Sequence, residues 1–201
     1  MSVLVTEWLD EVMAEIGGAD TNLAEFHIRE AIRLFAMESK AIIYRPAGIN
    51  VVNGTASYAV TAPDADSECA YVWKAWHNGA AIYRRTTGEL SILFDNYFTK
   101  TGTPQFFTME THDVIVLVPK PIADVTAGLV VLASSNPTNS AESVDDVYLS
   151  GYRNIIRYGA LASLMMVSNK PYTNMQQGGA YLNMFMGAIK ASFQETSSAY
   201  A

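Results

Sequence analysis

The sequence predicts an α+β chain: a four-helix bundle built from the two chain ends, with an antiparallel β-sandwich-like domain inserted between its second and third helices. Three observations predict it. Apolar residues recur at helical spacing near both termini. The middle hundred residues break into short β-type runs separated by turn dipeptides. Half of the 201 residues are hydrophobic, so a core can be buried.

The first helix is expected over Leu4, Val5, Trp8, Leu9, Val12, Met13 and Ile16, with Glu7, Asp10, Glu11 and Glu15 on its other face. Gly17-Gly18 ends it. Asp20 or Thr21 caps a second helix carrying Leu23, Phe26, Ala31, Ile32, Leu34 and Phe35. Glu25 precedes Arg29 by one turn, and Lys40 closes the helix with a cation at its negative end.

From Ala41 the period changes. Ile42–Arg45 reads as a short strand ended by Pro46. Ile49–Val52 and Ala56–Val60 flank Asn53-Gly54, a hairpin signal. Cys69–Trp76 and Ala80–Thr86 flank His77-Asn78-Gly79, and Phe106–Glu110 and Val114–Val118 flank Thr111-His112-Asp113. A helical turn at Glu89–Phe94 and a polar loop at Asn96–Pro104 interrupt the series, and Leu129–Ala133 is its last strand.

Helical spacing returns with Val144, Val147, Tyr148, Tyr152, Ile155, Ile156, Gly159, Ala162 and Met166. Leu161, Leu164 and Met165 add a second stripe, so this helix is expected to be buried on more than one side. Ser168–Pro171 breaks it. Asn174 caps a final helix carrying Met175, Tyr181, Leu182, Phe185, Met186, Ile189 and Phe193. Gln194–Ala201 is polar and small, a mobile tail. Each helix pair alone makes a weak unit, and together they make a bundle. The domain expectation is therefore residues 1–40 with 144–195 as a discontinuous helical bundle, 41–143 as the inserted β domain, and 196–201 as a flexible tail.

Charged residues are 16% of the chain, against roughly 25% for an ordinary soluble domain. Such a surface fits a protein partly covered by partners. The net charge is −7, and the absence of a Lys/Arg block argues against a phosphate-gripping surface. The single cysteine, Cys69, excludes an intrachain disulfide and a multi-cysteine metal site. The N-terminal stretch lacks the basic and apolar regions of a signal peptide, and no apolar run reaches membrane-spanning length. No membrane partner is expected.

Chemistry-bearing patterns are sparse. His27 with Glu30 has the spacing of a metal pair on one helix face, but the last two helices offer no matching Glu-x-x-His. His77 and His112 fall in turns, where polar residues are common. No nucleophile elbow or phosphate-binding glycine loop occurs. Asp64, Asp66 and Glu68 are acidic but lack the glycine and distal glutamate of a calcium loop. Gly151 and Gly159 read as close-packing positions, and Gly178-Gly179 as a kink or a close helix crossing, against a flex point for a partner. Tyr71 and Trp73 share one strand face and Trp76 takes the other. They fit a core plus a covered outer face, or a sugar-binding platform. The sequence thus implies no catalytic residue, no metal and no cofactor.

Several short motifs occur in a definite order: Tyr58-Ala59-Val60, Gly102-Thr103-Pro104-Gln105-Phe106-Phe107, Val114–Val118 closed by Pro119-Lys120-Pro121, Asp145-Asp146, Gly159-Ala160-Leu161 and Lys170-Pro171-Tyr172. With the helix–helix, β insert, helix–helix order, the chain resembles the head-to-tail adaptors of short-tailed bacteriophages, the tail tubular protein A type. Thr61-Ala62-Pro63 stands where that family often has proline directly after the tyrosine stretch. The resemblance implies a virion protein of the neck and tail, assembled in the host cytoplasm. It implies a dodecameric ring that docks below the portal protein and receives a tail nozzle of the tail tubular protein B type. Packaged DNA would be retained and then pass through the lumen without specific binding. On that basis Asp64, Asp66, Glu68, Glu142, Asp145 and Asp146 are candidate lumen carboxylates, and Gln194, Ser197, Tyr200 and Ala201 a candidate portal-contact tail. The rival reading is a carbohydrate-binding β-sandwich module on a helical stalk.

Overall fold

The computed structural model describes residues 2–200 and has the α+β class the sequence predicts. The elements in order are β1 (Ser2–Leu4), a 3-10 turn (Val5–Trp8), α1 (Leu9–Glu15), α2 (Thr21–Ser39), β2 (Ile43–Tyr44), β3 (Ile49–Val51), β4 (Ser57–Ala59), β5 (Ser67–His77), β6 (Ala80–Arg84), α3 (Thr87–Leu93), β7 (Phe106–Thr111), β8 (Val114–Val118), β9 (Val125–Pro137), β10 (Ser143–Asp145), α4 (Val147–Met165) and α5 (Met175–Tyr200). The chain forms two compact units. One comprises residues 1–42 with 136–199, and the other 43–135 with 200–201.

In the helical unit, α1, α2, α4 and α5 share one core. Trp8, Val12, Ile28, Ile32, Phe35, Tyr148, Ile156, Leu161, Leu164, Phe185 and Ile189 meet there. Trp8 is fully buried, and its indole N–H donates to the Arg153 carbonyl at 3.1 Å, as a buried indole requires. Asp20 caps α2 by accepting the Leu23 amide at 3.1 Å. Lys40 ends it in the left-handed region, φ 51°. Asn174 caps α5 through the Gln177 amide at 3.1 Å. α4 is buried on more than one side, through Tyr148, Ile156 and Gly159 and also Ala160, Leu161, Leu164 and Met165. The reason is visible at Gly159. A Cβ there would stand 2.9 Å from Ala31 Cβ and from the Phe185 ring, so α2 and α5 both close on α4 at that residue. Gly178 is a close crossing as well, where a Cβ would stand 3.2–3.3 Å from Ala162, Met165 and Met166, whereas Gly151 and Gly179 face open space.

Two helix starts differ from the sequence expectation. Val3, Leu4 and Val5 alternate half-buried, exposed and buried, a strand pattern rather than a helical one. Val3 and Leu4 belong to β1, which pairs antiparallel with β10, Val3 opposite Val144, and Val5 opens the 3-10 turn. The pairing takes Leu4 and Val144 out of the helices, so α1 begins at Leu9 and α4 at Val147. Gln194–Tyr200, expected as a mobile tail, forms the last turns of α5, with Thr196 buried. Its hydroxyl donates to the Ser192 carbonyl at 2.9 Å, an i−4 bond compatible with helix.

The β unit is one curled sheet in the order β2-β9-β5-β6-β7-β8-β4, with β3 also on β9. Its inner face holds Val51, Tyr58, Cys69, Val72, Ile82, Phe107, Ile115, Leu117, Leu129 and Val131. The turn at Asn78-Gly79 forms as expected, with φ 48° and 79°, the two positive values of a type I′ hairpin. The Thr111–Asp113 turn joins β7 to β8, braced by Thr111 Oγ1 donating to Asp113 at 2.7 Å. Asn53-Gly54 also turns, with Gly54 at φ 75°, but it is a corner and not a hairpin. β3 pairs with β9 and β4 with β8, because the Asn53 and Gly54 amides donate to Asp124 and the Pro121 carbonyl instead of continuing a shared ladder. The Tyr58 hydroxyl locks this corner, accepting from the Val52 amide at 3.1 Å and reaching the Thr55 carbonyl at 2.8 Å.

The sheet is not wholly antiparallel. β6 and β7 run parallel, Tyr83 opposite Phe106. The helical turn expected near Glu89 is the cause: α3 is a crossover that returns the chain in the same direction. Thr86 and Glu89 form a reciprocal capping box at its start. Thr86 holds the Glu89 carboxyl below its ordinary range through its amide and hydroxyl.

Candidate functional site

The candidate residues of the sequence fall on several surfaces. Asp64 and Glu68 are exposed and Asp66 half-buried in the approach to β5, where Asp66 N–H donates to Asp64 Oδ1 at 3.0 Å. This is an Asx-type turn, so part of the acidic cluster shapes its own loop. In the helical unit Glu142 and Asp145 are exposed and Asp146 half-buried around β10. Asp145 Oδ1 accepts the Val147 amide at 3.0 Å, at the start of α4. The two clusters belong to different units. Within α5, Gln194 is exposed, and Ser197 and Tyr200 are half-buried; Ala201 lies outside the described residues.

The aromatic strand is β5. Tyr71 and Trp73 contact edge to face, centroids 4.8 Å apart. The Arg84 guanidinium lies 4.2 Å from the Tyr71 ring centre and Arg45 5.4 Å from that of Trp76. Stacked guanidiniums satisfy these ring faces by cation–π contact. A sugar platform needs such faces available, so the arrangement favours covered structural aromatics. Burial pushes up both the Cys69 thiol and the Tyr44 hydroxyl. A thiol held protonated in this way is a poor nucleophile.

His27 stacks edge-on to Phe26, with centroids 5.4 Å apart, and burial lowers its pKa against the opposing pull of Glu30. His77 is buried, its Nε2 without a hydrogen-bond partner among the described residues, and burial lowers its pKa too. Among the described residues, no group of three or more His, Cys, Asp or Glu is placed to hold a metal ion. No helix among them is long and apolar enough to cross a membrane.

Two features escaped sequence reasoning. One is a groove of about 420 Å³ in the β unit, running over β4, β8 and β7. Val116 and Val118 line it with the Ser57 hydroxyl, Thr108, Lys120 and the stacked pair Tyr97–Phe98. It arises where the polar loop folds back over the sheet, a long-range event without a local signal. The other is a charged lattice joining α1, α4 and α5. Arg153 pairs with Glu11 at 2.5 Å, Arg157 lies 3.8 Å from Glu15, and Tyr181 donates to Glu15 at 2.6 Å. The rings of Tyr158 and Tyr181 stack beside it at 5.4 Å. Bonding to Glu15 raises the Tyr181 pKa. The acidic face of α1 was legible, but its arginine partners lie more than a hundred residues away in sequence.

The surfaces described hold carboxylates in self-bonded turns, aromatics under guanidiniums and an apolar groove. One family model, described as SU10 adaptor protein, matches residues 4–201. A comparison with curated proteins gives no match.

Proposed function

The chain belongs to the SU10 adaptor protein family, and we propose from that premise that it is one subunit of a ring between the portal and the tail nozzle of a bacteriophage. As a family member it is a structural phage adaptor and a virion component, not an enzyme, and it works through contacts with other head and tail proteins. The finer reading is ours. The ring has twelve copies and resembles the tail tubular protein A type. It assembles in the host cytoplasm, binds the portal above and a tail tubular protein B type nozzle below, and forms part of the DNA ejection channel. The helical ends, residues 1–40 and 144–195, act as one domain and residues 41–143 as its insert.

The observation that carries this reading is the family match over residues 4–201, which spans both compact units. The low charge content supports it, since a ring subunit covers surface on neighbours and on two partners. In this reading Asp64, Asp66, Glu68, Glu142, Asp145 and Asp146 line the lumen and repel passing DNA. Residues 194–201, including Gln194, Ser197, Tyr200 and Ala201, engage the portal. Counting this chain against the portal protein in purified particles tests the core of the proposal: a one-to-one ratio of two twelve-fold rings is expected, and absence from the particle sinks it. Neutralising either acidic cluster should slow DNA release, and unchanged ejection kinetics would remove those residues from the lumen. Truncation after Phe193 should abolish portal binding with the fold retained; retained binding would refute the tail assignment.

A further inference from the structure

α5 is weakly embedded in its own unit. Of its 26 residues, Gly178, Phe185, Ile189 and Thr196 are buried, and they fall on one narrow line. Beside it runs a second line: Met175, Leu182, Met186 and Phe193 return to one side of an α-helix. Met175 is 57% exposed, Leu182 38% and Met186 46%. The helix carries only two charged residues, Lys190 and Glu195. α2 offers a comparable line on the side away from its own core, made by Phe26, Glu30, Arg33 and Met37. Phe26 is 52% and Met37 48% exposed, and Glu30 and Arg33 pair at 3.2 Å between them. Exposed apolar lines of this kind mark contact surfaces.

The two lines match in length and charge. Phe26 to Met37 and Leu182 to Phe193 each span about 16 Å of helix. Lys190 flanks the α5 line between Met186 and Phe193, and the Lys40 ammonium stands 5.7 Å from the Phe193 ring centre. Two α5 lines laid together would therefore bring lysines together. The α2 line instead carries the exposed Glu30 carboxylate. Laid antiparallel, with Leu182 at Met37 and Phe193 at Phe26, the lines bring Lys190 to Glu30.

We propose that α5 of one copy packs antiparallel along α2 of a second copy of this chain. The contact joins two different surfaces of the same subunit, so it repeats head to tail and closes into a ring when the rotation permits. Its place in a ring rests on the adaptor reading.

Paired single-cysteine variants of the full chain test it. Leu182→Cys mixed with Met37→Cys should crosslink through a short bis-maleimide as the main product, and a chain carrying both should give a ladder beyond dimers. The unaltered chain, whose Cys69 is buried, is the control. A dimer from Leu182→Cys alone overturns the proposal in favour of self-pairing, and crosslinking of Leu182→Cys to Phe26→Cys in preference overturns the antiparallel register. Lys190→Glu should weaken association roughly fivefold, the size of one partly solvated charge pair. Glu30→Lys on the other surface should restore it, and failure of that rescue refutes the charge match. The same crosslink is sought in purified particles. A chain present there without an α5–α2 link sinks this inference and leaves the adaptor reading standing. A link formed in solution by a chain absent from particles does the reverse.

Discussion

Gly151 and Gly159 lie two turns apart in α4, and the same substitution should have opposite effects at each. A methyl at residue 159 would stand 2.9 Å from Ala31 Cβ and 2.9 Å from the Phe185 ring. The ring is buried in the core, and Ala31 Cβ is fixed to the α2 backbone, so α2 or α5 must move. Overpacking a tight core costs about 1–3 kcal/mol, and two rigid contacts place Gly159→Ala near the top of that range. Replacing a helical glycine returns about 1 kcal/mol, so the net loss is about 1–2 kcal/mol. At residue 151 nothing lies within 4 Å, so Gly151→Ala keeps only the gain, up to about 1 kcal/mol. In a chain of this size each kcal/mol moves the melting temperature by about 2–4 °C. Thermal melts followed by far-ultraviolet circular dichroism should show Gly151→Ala above the parent and Gly159→Ala below it. A Gly159→Ala chain as stable as the parent would refute the account of three helices closing at that residue.

Three further outcomes follow from other contacts. Tyr58→Phe leaves the Val52 amide without its side-chain acceptor and frees the Asn53-Gly54 corner; it should cost about 1–2 kcal/mol in urea unfolding, and a neutral result would deny the corner its role. Asp20→Ala removes the α2 cap and should cost about 1 kcal/mol, recovered by Asp20→Ser, a comparison that separates capping from charge. Burial lowers the His77 pKa, so the unfolded chain binds more protons once pH falls below about 6.5, the ordinary histidine value. Stability should therefore be full above that pH and decline below it towards the lower folded value. His77→Gln should flatten its share of the slope, and an unchanged profile would remove His77 as a cause.

The parts of the fold legible in the sequence were those set by local chemistry. Asn78-Gly79 specified its hairpin because the type I′ turn depends on those two residues. Asp20 and Asn174 announced helix starts through hydrogen bonds made within three residues. What escaped was set by distant partners. Ser2–Leu4 became strand only because Ser143–Asp145 lies beside it, and the Asn53-Gly54 turn became a corner because Asp124 and Pro121 took its amides. The parallel β6–β7 pair was hidden although its crossover helix was foreseen, since strand direction depends on where the chain returns. For the exposed lines, Phe26 of α2 and Met175, Leu182, Met186 and Phe193 of α5 were read from the sequence only as members of each helix's apolar set. Periodicity finds a stripe but does not say which side of the helix its own unit covers, and Phe26, Leu182 and Met186 lie outside that cover.

The chain passes from the helical unit into the β unit at residues 42–43 and back at 135–136, and at those passages Ile43 pairs with Ser134. This adjacency bears on the order in which the molecule comes together. α2 and α4 are separated by about a hundred residues of sequence, a loop whose ends rarely meet in an unfolded chain. Once β2 is zipped to β9, only about twenty residues remain to be closed, and the entropic barrier falls by about 1.5 kcal/mol. β9 also leaves the ribosome before α4 does. A β2–β9 pair formed early would thus shorten the stretch of chain that separates α2 from α4.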